Sequence, residues 1–181
     1  ANDTGTVSHH FLASDNAPQC VLGLATCEND DYANAYENIV DKSVALDDIV
    51  VKARDAFSMS KENAAWAAAH TYLLWTKVNA SSDAESWFNE RVSAKNNEIL
   101  LFNKNKKKSE RMAKLAARDG TSQFTITVKY ALDFTSPKQA SNVSRYVLVL
   151  DWLHNELQHT VVNSAADVFA KITNAGGFEA V

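Results

Sequence analysis

Between Tyr32 and Phe57 the apolar residues fall three and four apart. Tyr32, Tyr36, Ile39 and Val40 are followed by Val44, Leu46, Ile49, Val50, Ala53 and Phe57. That spacing marks one face of an α-helix and predicts one or two helices with a break near 41–43. Ser60 heads the next run. Its hydroxyl can accept from first-turn amides, and Glu62 suits the positive end of the helix dipole. The apolar face that follows comprises Ala65, Trp66, Ala69 and Leu73, with Trp75 or Val78. Ser82 with Glu85 has the spacing of a capping box for a helix through about Ala94, with Trp87, Phe88 and Val92 as its buried stripe. Farther on, Met112, Leu115 and Ala116 share one side while Lys107, Lys108, Arg111, Lys114 and Arg118 share the other. This predicts a basic helix that Gly120 ends in left-handed conformation.

The stretch from Ser122 to Phe134 reads two ways. Phe124, Ile126, Val128 and Tyr130 alternate with polar residues, as in a strand. Phe124, Val128, Ala131 and Leu132 also fit one helical face. No second convincing strand is present to satisfy a lone strand's backbone, so helix is the expectation; a short strand over 122–130 is the alternative. Ser136-Pro137-Lys138-Gln139 is the sharpest start signal in the chain, with Ser as N-cap, Pro at the first helical position and Gln able to reach back to the cap. The helix it starts should run to about Gln158, with Ala140, Val143, Val147, Leu150 and Leu157 facing the core. Ser164 and Asp167 start a last helix through Asn174.

These elements predict a mainly α protein, a single compact multi-helix domain over 32–181. Its first part, 32–120, is a helical bundle that includes the basic segment 91–118. Its second part, 121–181, holds the C-terminal helices, with a helix-turn-helix-like arrangement of 122–134 and the helix after Ser136. Residues 1–31 carry no clear period and read as an arm or loop. Five Gly and two Pro in 181 residues are too few for an all-β fold with many tight turns. A chain of this length can bury a core without staples.

Charge divides the chain more sharply than its total of −4 suggests. Residues 1–90 carry 5 Lys/Arg and 14 Asp/Glu; residues 91–118 carry 9 and 2; residues 119–181 carry 4 and 6. A local excess of this kind says more about partners than the sum does. The apolar runs, such as Tyr146 to Leu150, are far short of the roughly 20 residues that span a bilayer. The N-terminal stretch lacks the basic and apolar regions of a signal peptide. Two cysteines, Cys20 and Cys27, do not make a disulfide scaffold. A cytoplasmic protein without a membrane partner is the expectation.

No motif with specific chemistry emerges. In "HNELQH", His154 and His159 are five apart, roughly 140° around a helix, whereas zinc proteases need a four-residue spacing. Glu156-x-x-His159 is half of a di-iron pattern without its second half, and a solvated helix end with a cationic His is the simpler reading. His9, His10, Cys20 and Cys27 match no common zinc spacing. Ser58-x-x-Lys61 lacks the companion motifs of penicillin-recognising enzymes. No catalytic residue, metal or cofactor is expected.

What remains is basic. Lys104, Lys106, Lys107, Lys108, Arg111, Lys114 and Arg118 read either as a solvated face answering the acidic N-terminal half or as phosphate contacts. Lys138, Ser141, Asn142 and Arg145 share the outer face of the helix after Ser136, where a recognition helix would meet base edges. The leading expectation is a nucleic-acid-binding accessory protein that contacts DNA through these residues. The alternative is a structural or assembly protein, a homo- or hetero-oligomer joined through Trp-rich helices and complementary acidic and basic patches.

Overall fold

Helix α2 (Ala64–Val78) explains the architecture, because it has no polar face to leave in water. Ala65, Ala67, Ala68, Ala69, Thr71, Tyr72, Leu73, Leu74 and Val78 are all buried, which is the pattern of a helix enclosed by others. The computed structural model describes residues 42–59, 63–116 and 120–181, all within one compact unit, Ile39–Val181. Ahead of α2 runs α1, over 42–59. After it come α3 (Ser82–Asn103), α4 (Thr125–Ala131), α5 (Ala140–Leu157) and α6 (Ala165–Asn174). No strand occurs among the described residues. Helices α3, α4, α5 and α6 all pack on α2, most extensively α6. The run of alanines lets the neighbours approach closely. The buried Thr71 hydroxyl is satisfied by donating to the Ala67 carbonyl at 2.7 Å.

Aromatic rings fill the spaces between helices. Trp66 of α2 stacks on Phe169 of α6, with centroids 4.1 Å apart and planes at 10°. Trp75 meets Phe124 at 4.8 Å and the His154 ring at 5.1 Å. Tyr130 closes on Phe88 at 5.4 Å, edge to face. The tryptophans are therefore tied to the chain's own core, Trp66, Trp75, Trp87 and Trp152 each being partly buried against it.

Several boundaries follow the sequence signals. Within 122–134 the residues Thr125–Ala131 form a helix, and no strand occurs there. α5 begins behind a full capping box: Ser136 Oγ accepts from Lys138 N–H, and Gln139 Oε1 accepts from Ser136 N–H at 2.9 Å. A 3-10 turn, Pro137–Gln139, leads into the helix. α6 starts behind Ser164 and Asp167 and ends at Asn174, as expected. The expectations for Tyr32, Tyr36, Ile39, Val40, Ser60 and Glu62, for the arm 1–31, and for Arg118 lie outside the described residues.

Four expectations are corrected. The N-cap of α3 is Ser81, not Ser82; its side chain accepts from Ala84 N–H at 3.3 Å. That helix continues nine residues past Ala94 to Asn103. The basic helix over 107–116 does not exist: a 3-10 turn, Lys108–Glu110, gives way to a non-helical stretch through 116. Lastly, the buried stripe of α5 is Tyr146, Val149, Leu150 and Leu153. Ala140 is exposed, while Val143, Val147 and Leu157 are only half-buried, so the helix is rotated from the expected setting.

The stretch 111–116 has backbone groups to satisfy, and asparagine side chains of α3 do it. Asn103 Nδ2 donates to the Met112 carbonyl at 2.8 Å, and its Oδ1 accepts from Met112 N–H at 2.8 Å. One heptad earlier, Asn96 makes the same pair of bonds with Leu115, at 3.1 and 2.8 Å. Ala113 N–H turns the other way and donates to the Thr135 carbonyl at 2.6 Å. The chain is thus held between α3 and the turn before α5, and Leu115 is buried there.

Candidate nucleic-acid interface

The clamp at Asn103 fixes where the basic residues go. α3 ends at Asn103, the chain loops out, and Met112 is drawn back to the same asparagine. Residues 104–111 therefore form a closed excursion on the surface. Lys104, Lys106, Lys107, Lys108, Arg111 and Lys114 are all exposed. Arg111 Nε donates to the Lys106 carbonyl at 3.2 Å, bracing the loop from within. Lys106 Nζ lies 5.1 Å from the centroid of the Phe102 ring. Among the described residues, none of these six cations has a carboxylate within ion-pair distance.

Other basic residues of the same segment behave differently. Arg91 pairs with Asp47 of α1 at 2.8 Å, and its guanidinium lies over the Trp87 ring. Lys95 pairs with Asp133 at 3.2 Å and Glu98 at 3.5 Å. So the segment 91–118 divides. Its helical front half answers acidic residues of the fold, and the loop after Asn103 leaves its charge to solvent.

The four residues expected on the outer face of α5 also divide. Lys138 and Ser141 are exposed, and no described carboxylate pairs with Lys138. Asn142 is half-buried. Arg145 is committed to an ion pair with Glu179, beyond the end of α6, and its guanidinium lies 5.7 Å from the centroid of the Phe178 ring. Asn142 and Arg145 line a cavity of about 370 Å³ with Phe57, Ala64, Tyr146, Phe178 and Glu179. Desolvation pushes the Tyr146 phenol up to about 12, with nearby Glu179 adding to the rise and Arg145 opposing it. The face of α5 that is most open is instead Ser141, Ser144 and Leu148. α4 and α5 are joined through 132–139 and pack together, but the front of α5 is partly occupied by the chain's own C-terminal residues.

A second, shallower groove of about 700 Å³ runs between α4, α5 and the stretch 113–116. Thr121, Ser122, Thr125, Ser136 and Ser144 bring hydroxyls to it, and Lys129 a cation. It lies beside the loop that the asparagines hold.

The zinc-like ending of α5 is taken apart by the fold. His154 is half-buried, its ring packed against Trp75 and Phe124. Glu156 pairs with Lys171 at 2.8 Å, and His159 lies beyond the helix end. No group of three metal-ligating side chains occurs among the described residues. No described helix is long and apolar enough to cross a membrane.

The exposed apolar patch beside the loop was missed from the sequence. Leu100, Leu101 and Phe102 are 47%, 74% and 43% exposed. The signal was present, since three consecutive apolar residues cannot all lie on one helix stripe. No protein-family model matches this chain, and no curated protein or solved structure is significantly similar to it.

Proposed function

We propose that this protein binds nucleic acid through the lysine-rich loop that follows α3. One observation carries the reading. Lys104, Lys106, Lys107, Lys108, Arg111 and Lys114 face solvent without described carboxylate partners, while Arg91, Lys95 and Arg145 are each matched by an acid. Concentrated uncompensated charge attracts a polyanion by releasing its counterions, and phosphate contacts of this kind need no base sequence. Lys138, at the front of α5, is a further cation for the same purpose. The test is a mobility-shift titration at low salt with duplex DNA, single-stranded DNA and RNA. A complex that dissolves steeply with added salt supports the reading; no complex with any of the three defeats it.

A second reading, assembly, has its own observation in Leu100, Leu101 and Phe102. The tryptophans are engaged with the core, so an apolar contact between copies falls to the outer side of the α3 end. Sedimentation over a concentration series in the absence of nucleic acid distinguishes it.

A further inference from the structure

The cavity beside α5 has a composition that selects its ligand. Three of its walls are aromatic: Phe57, Tyr146 and Phe178. Tyr146 and Phe178 have centroids 4.8 Å apart, and Phe57 and Tyr146 6.1 Å. Its volume, about 370 Å³, falls within the range of small-molecule sites, roughly 300–1,000 Å³. The polar groups are the Asn142 amide and the Arg145–Glu179 pair.

Each polar group narrows the choice. A cationic guest of the kind held by aromatic cages would meet Arg145, whose own charge already lies over Phe178. An anionic guest would have to displace Glu179 from that arginine. The ion pair therefore favours a guest with no net charge in the pocket. Asn142 is half-buried on the wall, and its amide makes no hydrogen bond to any described residue. An amide offers a donor and an acceptor side by side, the complement of the adenine edge. Four residues before Asn142, in the 3-10 turn that leads into α5, Lys138 is exposed and has no described carboxylate partner. A flat uncharged ring with a donor–acceptor edge, attached to a phosphate, meets all of these groups at once.

The geometry points to this cavity as a nucleobase site. It holds one unstacked adenine, with the ring against Phe178 and Phe57, the edge on Asn142, and the attached phosphate on Lys138. This deepens the nucleic-acid reading and rests on it: the lysine loop would hold a strand by its phosphates while the cavity takes a base from it. Stacking on aromatic side chains is how single strands are commonly held. The same chemistry is offered by a free nucleotide, so the source is left to the experiment.

The probe is 8-vinyladenine, a fluorescent adenine analogue that keeps the 6-amino group and N7 and whose emission falls on stacking. It is presented to the full chain as the free nucleotide and as one central residue in a single-stranded oligothymidylate. A second oligothymidylate without the purine is followed by mobility shift. The expected result is saturable quenching of the purine in the strand. That quenching should weaken about tenfold or more in Asn142→Ala and Phe178→Ala. Asn142→Asp, which keeps the size and loses the donor, should weaken it as well. Thermal melting checks that each variant folds, and Asn142→Asp stands in if Phe178→Ala does not. Quenching of the free nucleotide with no binding of either strand keeps the pocket as a nucleotide site and defeats the nucleic-acid reading. Binding of the plain strand without quenching of either probe leaves that reading standing and overturns the pocket. Quenching that is equal in wild type and in folded Asn142 and Phe178 variants also overturns it.

Discussion

Asn103 and Met112 exchange two hydrogen bonds, side chain to backbone, both 2.8 Å long. An asparagine amide has the same donor and acceptor as a peptide group, so it can stand in for a neighbouring strand. Its position closes the lysine loop, and the equivalent pairing at Asn96 fixes the stretch behind it. The two asparagines together provide four bonds to a chain that has no regular structure of its own. Because both are half-buried, the bonds they make are not freely replaced by water.

Asn103→Ala should destabilise the protein by about 1–2 kcal/mol, since it strands both the amide and the carbonyl of Met112. Asn103→Asp keeps the acceptor but removes the donor, so it should restore only part of the loss. Hydrogen exchange gives the local readout. The Met112 amide should lose protection in both variants, more in the alanine one, with little change at the Leu115 amide, which Asn96 holds. Equal loss at both positions would mean the two clamps open as one unit.

The loop lysines invite a charge count. Replacing Lys106, Lys107 and Lys108 singly with Gln should leave the melting temperature nearly unchanged, because each is exposed and lacks a described carboxylate partner. Each should lower the slope of log affinity against log salt by about one if it contacts a phosphate. Arg91→Gln is the contrast. Its guanidinium is paired with Asp47, so a small loss of stability and little change in the salt slope are expected. A slope indifferent to all three lysines would remove the loop from the interface.

Local and distant interactions explain what the sequence disclosed. Ser136 with Gln139 and Ser164 with Asp167 were legible because a cap needs only neighbours three residues apart. The helix over 125–131 was legible because Phe124, Val128, Ala131 and Leu132 do line one buried side. The stretch 107–116 was misread because Met112, Leu115 and Ala116 imitate helical spacing. What decides their conformation is Asn96 and Asn103, up to nineteen residues away. The setting of α5 escaped for a similar reason. Arg145 has the sequence context of a solvent-facing cation, and only the fold brings Glu179 to it, thirty-four residues later. The exposure of Lys104 to Lys108 survived the error about the helix, since lysines avoid burial in a loop as they do on a helix face.

His70 gives the protein a built-in sensitivity to acid. Its ring stacks near Trp66 at 5.8 Å and its buried Nδ1 has no described partner. Burial lowers its pKa below the ordinary 6.5; Lys52 lowers it further, and Asp48 opposes both. The folded state therefore binds the proton less readily than the unfolded chain does. Between the lowered value and about 6.5 the unfolded state holds more protons, so stability rises with pH across that window and levels off above it. Melting temperature should fall as pH drops below about 6.5. His70→Gln should flatten that part of the profile while leaving neutral-pH stability less affected. A wild-type profile already flat from pH 7 to 5 would show that His70 takes its proton as easily folded as unfolded.

Leu101 decides between a wet surface and a contact between copies. It is 74% exposed, flanked by Leu100 and Phe102, and followed directly by the basic loop. Truncating a residue so exposed should change the stability of the isolated chain by less than about 0.5 kcal/mol. If the end of α3 joins copies, Leu101→Lys places a desolvated charge in the contact and should shift the sedimentation profile towards monomer. The added lysine also extends the positive loop, so the same variant should bind nucleic acid as well as the wild type or slightly better. Loss of assembly with retained nucleic-acid binding would place the two surfaces side by side at the end of one helix. Loss of both would mean that the lysine loop binds its polyanion only when copies assemble.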